Sequence, residues 1–519
     1  MKVTGILKKG TYYDSVSIML IAKNVAGLDG VIDSAVIMGT KENKSILSSS
    51  GLLTPEIQSA GEMDLMISFK IRDDADSKII RNRVEELFQI QKNADDDKDF
   101  IPSSLEGALN VLPGANLAMI SVAGRYAGDV ARSALEKGLN VFLFSDNVPI
   151  EREIELKKFA RSKNLIVMGP DCGTAIINGA PLAFANVVSK GNIGIVAASG
   201  TGLQEVTCLI SNAGGGISQA IGTGGRDVKK EVGGIMFIEG IKALAEDKNT
   251  EVILLVSKPP ADEVVNKVKE AAKQIRKPVV GIFLGASSNL LAGSNIHQWT
   301  TLEEAALIAV ALSKHESVET VDAVLKSRNA EIYQIAKSEA LKLSKEQKYM
   351  RGLFSGGTFC DEALLLSRDI LEDVYSNTPF GNIKKLADSW RSEKHTIIDL
   401  GDDEFTIGKP HPMIDYSTRS IRILAEAKNP ETGVILLDIV LGYGSNMNPL
   451  AEIIPVIKEV KNITGQQKRY LPIVCSVTGT DKDPQNRTAV ATALQAEGVM
   501  VMESNAAASR LAINIVSRR

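Results

Sequence analysis

Residues 191–202 read GNIGIVAASGTG, and residues 350–359 read MRGLFSGGTF. In each, an apolar run rich in strand formers ends in a Ser-Gly corner with a threonine, and apolar residues at helical spacing follow. A strand, a tight corner and a helix are the opening of a βαβ unit. The alternation extends in both directions. Strands are predicted at 117–122, 140–144, 165–168, 193–197, 220–222, 251–256 and 279–283, and again at 352–354, 396–400, 433–439, 472–477 and 498–502. Continuous apolar strands separated by amphipathic helices bury both sheet faces, which predicts an α/β protein of several doubly wound parallel sheets.

Before this alternation, residues 1–92 read β-α-β-α-β-α, with strands at 3–7, 31–38 and 63–69. They predict a small α+β domain of ferredoxin-like size, its first helix capped by Asp14 and Ser15 side-chain oxygens. The acidic run within 93–105 reads as a solvated linker. The expected division is 1–92, 106–188, 189–315, a charged helical connector at 316–348, and 349–519.

With 519 residues the chain exceeds what one core supports. It carries 59 basic against 63 acidic residues, a net charge of -4, so the basic surplus of a nucleic-acid binder is missing. The N-terminus has no signal-peptide pattern, and no apolar run reaches the ~18 residues of a membrane helix. The expectation is a cytoplasmic protein with no membrane partner. Cys172, Cys208, Cys360 and Cys475 lack CxxC spacing, which argues against a disulfide framework or a structural zinc site; Cys208 and Cys475 read as core packing. No metal site is expected.

The two corners are where chemistry is expected. A helix N-terminus offers unpaired N–H groups and roughly half a positive charge, and glycine lets an anion approach the backbone. Ser199, Gly200, Thr201 and Gly202 in the first corner, and Ser355, Gly356, Gly357 and Thr358 in the second, are therefore candidate phosphate ligands, though these residue types are also plain helix caps. Each corner is followed by a glycine-rich loop at a strand end, 222–227 and 442–446, where open α/β sheets bind ligands. Gly224 and Gly225 join the candidate set, with Arg226 as a cation suited to phosphate, or alternatively paired on the surface with Asp227. Asp399, Asp402 and Asp403 can act as bases or hold magnesium, or cap a turn; His411 is a candidate acid/base. The run Ser417-Thr418-Arg419-Ser420 superficially resembles the Ser-Thr-Arg-Thr phosphate site of aspartate and ornithine carbamoyltransferases, within a different surrounding pattern. There is no GxxxxGK[ST] loop and no GxSxG elbow.

The segments MGPDCG (168–173), GNIGIVAASGT (191–201) and IGTGGR (221–226) are similar, in order and spacing, to GPNC, GIVSRSGT and GIGG segments of the succinyl-CoA synthetase α subunit. Residues 345–519 resemble the C-terminal ligase domain of its β subunit. With DSVSIM (14–19), FSDNV (144–148), LGDD (400–403) and KPHPMID (409–415), nearly the whole chain resembles the FdrA family. The resemblance implies that 106–188 is a CoA-binding-like Rossmann domain and that 189–315 and 349–519 are succinyl-CoA-synthetase-like ligase domains. It also implies two corners opposed across one anion site, companion subunits and a homo- or hetero-oligomer.

The departures bear on mechanism. The loop corresponding to the phosphorylated histidine of such synthetases reads LGASSN (284–289), with no histidine before His297. Lys258 stands in Ser-Lys-Pro-Pro where they have a glutamate-containing Gly-Glu-Ile-Gly-Gly, and an ATP-grasp module has no counterpart. A site with its phosphate cradle and no phosphate donor predicts a substrate that brings its own phosphate, with no cofactor required and CoA possible. The leading expectation is a subunit of a carbamoyl-phosphate-linked transferase of the oxamate type, in purine or allantoin catabolism, as the FdrA resemblance implies. In it Arg226 and Lys258 balance phosphate charge, and His411 or Asp403 handles a proton. An acyl-CoA synthetase or CoA-binding enzyme, and a non-catalytic metabolite-binding scaffold, are the alternatives.

Overall fold

The computed structural model describes residues 2–10, 13, 15–95, 102, 104–287, 289–406 and 409–517. Asp14, predicted as a cap, and 96–101 of the acidic linker lie outside the described residues, as does Ser288 of the histidine-free loop. The described residues form two compact units, 1–115 with 402–415, and 116–401 with 416–519.

In the first unit, strand Leu65–Ile71 lies between Lys2–Lys8 and Val31–Met38 and is antiparallel to both. Its parity explains its burial. Leu65, Ile67, Phe69 and Ile71 face helices Ser15–Ala26 and Ser77–Asp95, while Met66 points the other way into a cluster with Leu47, Leu52 and Ile57. Three strands are paired here among the described residues, as the β-α-β-α-β-α reading predicts. The unit includes 402–415, which sequence reading had placed in the C-terminal domain.

The second unit holds three sheets, and the parallel α/β architecture expected from residue 116 onward is present. Leu117–Ile120, Asn140–Leu143 and Val167–Met168 make a small parallel sheet. A seven-stranded sheet runs in the order Ile296–Trp299, Val279–Phe283, Val252–Ser257, Lys190–Ala197, Ile217–Gly222, Thr174–Ile177, Ala180–Ala183. Its first five strands are parallel. The last two are an antiparallel hairpin, a departure from the parallel expectation and from the boundary at 188. The cause is local: Asn178 and Gly179 both take positive φ, as a two-residue hairpin turn requires. The second seven-stranded sheet is parallel throughout, ordered Lys384–Lys385, Val374–Ser376, His395–Asp399, Tyr349–Phe354, Thr432–Val440, Ile473–Thr478, Met500–Met502.

Alternation also divides the core around the first large sheet. Ile193, Ile195 and Ala197 pack on one face with helix Leu302–Ser313, and Val196 and Ala198 on the other. The predicted connector is a helix, Val318–Ala340, but it is packed: Leu325, Ile332 and Ala336 are buried, and it lies against helix Asn505–Val516. No described helix is long and apolar enough to cross a membrane.

Candidate functional site

Strand Lys190–Ala197 runs into helix Gly200–Asn212 through Ser199, whose Oγ caps the helix by accepting the Gly202 N–H at 3.1 Å. Strand Tyr349–Phe354 runs into helix Gly357–Ser367 through Ser355 and Gly356. The two corners meet. Ser199 Oγ and Thr358 Oγ1 are 2.7 Å apart, and a Cβ on Gly356 would come within 3.0 Å of Thr201 Cγ2. The first-turn N–H groups of Gly200, Thr201, Gly357 and Thr358 donate to no acceptor among the described residues. Two helix N-termini are thus opposed at one place, each with the partial positive charge of its dipole.

Ser355 is not available to a ligand as expected from sequence. Asp438 Oδ1 accepts its N–H at 2.8 Å, and Asp438 Oδ2 accepts both its hydroxyl at 2.7 Å and the Gly356 N–H at 3.1 Å. Parallel register explains this. Leu353 pairs with Leu437, so Asp438 falls beside the chain as it leaves Phe354 for the corner. Asp438 is fully buried and held by Arg419, itself fully buried, at 3.3 Å. Arg419 of the Ser-Thr-Arg-Ser run therefore faces a protein carboxylate. On the other side Phe354 pairs with Asp399, whose Oδ2 lies 2.7 Å from where a Cβ on Gly357 would be.

Lys258, one residue past strand Val252–Ser257, reaches across to the second corner's helix and pairs with Asp361 at 2.5 Å. Burial works against its charge, but Asp361 and then Asp399 outweigh it and hold the ammonium above its ordinary pKa. Burial raises the Asp361 carboxyl, opposed by Lys258. Lys258 is thus a cation at the corner, half exposed, with its charge shared by two carboxylates.

Arg226 is placed differently. Its guanidinium donates to the Val148 carbonyl and pairs with Glu153 at 2.9 Å, not with Asp227. Asp227 is buried, pairs with Lys157 and caps helix Ile235–Glu246 through the Met236 and Phe237 N–H groups. Lys157 is fully buried and also bonds Glu153 and the Thr223 carbonyl. These four charges tie the loop to helix Ile150–Ser162. Gly224, at φ 80°, backs onto Pro170, where a Cβ would meet its carbonyl at 2.3 Å. Gly224 and Gly225 line, with Asp171, Cys172, Thr174 and Gly200, a small pocket beside the first corner. Burial pushes the Cys172 thiol up to about 12, so it is no nucleophile there. The companion loop at 442–446 is packed: the Tyr443 N–H bonds the Ala185 carbonyl, and a Cβ on Gly444 would strike Phe184.

Asp403 and His411 belong to the other compact unit. Asp402 caps the turn into helix Asp403–Thr406 by accepting the Glu404 N–H. His411 Nδ1 accepts the Met413 N–H at 3.2 Å, and burial lowers the imidazole to about 4. A turn-forming imidazole committed in this way is a poor proton carrier at neutral pH. His297 is exposed on the edge strand of the first large sheet, and all four cysteines are buried and free.

Sequence reading missed a buried polar seam behind the corners. Glu205 accepts from the Thr478 hydroxyl at 2.5 Å and the Asn505 N–H at 2.9 Å; Glu362 accepts from the Leu302 N–H and Asn505 Nδ2. Burial raises both carboxyls, Glu362 to about 7. The one available signal was an acid at a core-facing position of an apolar-periodic helix.

Three family models match the chain: "AllF, heavy metal-associated domain" over residues 1–101, "CoA binding domain" over 188–285, and "CoA-ligase" over 353–515. Residues 1–101 contain neither cysteine nor histidine, so the thiolate and imidazole donors that a soft metal takes are absent from that stretch. The chain is 44% identical to "Uncharacterized protein YahF" of Escherichia coli (strain K12), over 100% of this chain and 99% of that one. It is 29% identical to the succinate–CoA ligase [ADP-forming] subunit alpha 1 of Archaeoglobus fulgidus and 26% identical to the malate–CoA ligase subunit alpha of Methylorubrum extorquens. Each of these two matches spans 34% of this chain and 60% of the ligase subunit.

Proposed function

As the chain belongs to the same family as Escherichia coli YahF, and is built like an acyl-CoA synthetase of the succinate–CoA ligase type, we propose that it is an acyl-phosphate-handling enzyme. It would transfer an acyl group between phosphate and CoA without an ATP-charged histidine. The observation that carries this reading is the opposition of the two helix N-termini, joined at 2.7 Å by Ser199 and Thr358, in a chain whose segment 284–289 has no histidine in its sequence.

In this reading the N–H groups of Gly200, Thr201, Gly357 and Thr358 receive the phosphoryl oxygens, and Lys258 offsets their charge. Attack of the CoA thiol sulfur on the acyl carbon forms the thioester and breaks the bond to the phosphate oxygen. The electron pair stays on phosphate, which leaves as inorganic phosphate and carries the thiol's proton. Fixed donors at a departing phosphate are worth roughly 3–4 kcal/mol each. CoA is the acceptor that the family models favour; no cofactor beyond it is needed, and companion subunits would supply any ATP-making step.

Carbamoyl transfer to a small amide acid is the finer form that the FdrA resemblance implies, with carbamoyl phosphate as the acyl phosphate. Purified chain is incubated with acetyl, succinyl or carbamoyl phosphate and CoA, and thioester and phosphate are quantified. The reading expects phosphate release that depends on the acceptor and is lost in Thr201→Pro. Stoichiometric acid-labile phosphate on His297 from ATP, or no turnover with any acyl phosphate and no phosphate binding, overturns it.

A further inference from the structure

Resting on that reading of the site, we infer that Asp438 is a positioning residue that makes the two corners unequal and sets how strongly the second one holds an anion. The corners share a sequence pattern but differ in what satisfies their leading donors. In the first, Ser199 uses its own hydroxyl to cap Gly202. In the second, the first three donors, Ser355 N–H, Ser355 Oγ–H and Gly356 N–H, all point at Asp438.

Two consequences follow from geometry and charge. A carboxylate accepting three hydrogen bonds from one corner fixes the angle at which the chain enters helix Gly357–Ser367. It thereby fixes where Gly357 and Thr358 begin the helix, with Thr358 Oγ1 2.7 Å from Ser199 Oγ. The same carboxylate also places a negative charge within two residues of those donors, offset in part by Arg419. Asp399 and Asp361 add negative charge on the other side, and Lys258 is the cation among them. The second corner therefore carries three carboxylates against two cations. A phosphate seated between the corners is held more firmly by Gly200 and Thr201 than by Gly357 and Thr358, and Ser355 does not touch it.

This arrangement favours release of a free phosphate dianion over its retention. That is what a site needs if phosphate is a product to be expelled and not a charge to be stored. Asp438→Asn keeps the shape of the side chain, removes its charge and leaves the Gly356 N–H without an acceptor, facing an uncompensated Arg419.

The test is isothermal titration with inorganic phosphate of the full-length wild type, Asp438→Asn and Ser355→Ala. Asp438→Asn is expected to bind phosphate at least fivefold more tightly, a direction that simple loss of structure does not give. Ser355→Ala is expected to stay within twofold of wild type, because its hydroxyl faces Asp438. Wild-type binding together with unchanged or weaker binding by a folded Asp438→Asn overturns the inference and leaves the proposed function standing. So does a tenfold loss in Ser355→Ala, which remains decisive if Asp438→Asn fails to fold. No phosphate binding by wild type overturns the inference, and together with no turnover of any acyl phosphate it removes the proposed function as well.

Discussion

The first corner and the second are the same strand-to-helix device built by two routes. At the first, a local serine caps its own helix, and a Cβ on Gly200 would meet nothing nearer than Thr174 Oγ1 at 4.0 Å. At the second, the capping carboxylate comes from a strand 83 residues away, and a Cβ on Gly357 would collide with Asp399 at 2.7 Å. A locally capped corner can be read in sequence and altered at small cost. A corner capped from a distance is tied into the core and breaks with it.

The sharpest break should come from Asp438→Ala. It leaves Arg419 as an unpaired buried charge and three donors unsatisfied, and about 3–5 kcal/mol of destabilisation is expected, read as a lowered urea midpoint for the C-terminal sheet. If Asp438→Ala costs no more than a serine cap, the contrast between the corners is mistaken.

Next in size is a pH effect in the seam behind both corners. Glu362 titrates near 7 when folded, against the ordinary value of 4.5 when unfolded, so the folded state holds the proton more tightly. This contribution to stability is fully present below the unfolded value and is lost as pH rises through about 7, up to about 3 kcal/mol. Glu362→Gln should flatten that part of the profile, measured as the wild-type-minus-variant difference in thermal midpoint between pH 5 and pH 8. An unchanged slope would show that the seam does not titrate.

A finer comparison sets Gly357→Ala against Gly200→Ala. The first should lose roughly 1–2 kcal/mol through the Asp399 collision, while the second should stay within about 0.5 kcal/mol of wild type in denaturant titrations. Equal losses would mean that both corners are equally crowded. Smallest is Ser199→Ala, expected to cost about 1 kcal/mol as a lost N-cap.

What sequence made visible follows the same division. Apolar runs ending in Ser-Gly are local, and so both corners, the parallel sheets and the small N-terminal domain could be read. Asn178-Gly179 is equally local, a two-residue turn signal, yet the strand pattern predicts no hairpin there and groups 174–183 with the 106–188 domain. The partners of Arg226 and Ser355 are Glu153 and Asp438, each more than 70 positions away, and only parallel register or helix packing brings them close. Asp438 did leave a trace, as a lone acid in the fully buried strand TGVILLDIV. The segment 402–415 carried acids and a histidine in attractive spacing, yet its structural home is the other unit, which no local pattern could indicate.

The packed helix Val318–Ala340 joins the two sheets that contribute the corners within one polypeptide. Contact between Ser199 and Thr358 is consequently intramolecular, with an effective concentration set by the fold and not by the abundance of two separate subunits. The stoichiometry of the two halves is fixed at one to one by synthesis. Phosphate binding per mole of chain should therefore stay constant on dilution, where a site assembled from two dissociable chains would lose occupancy.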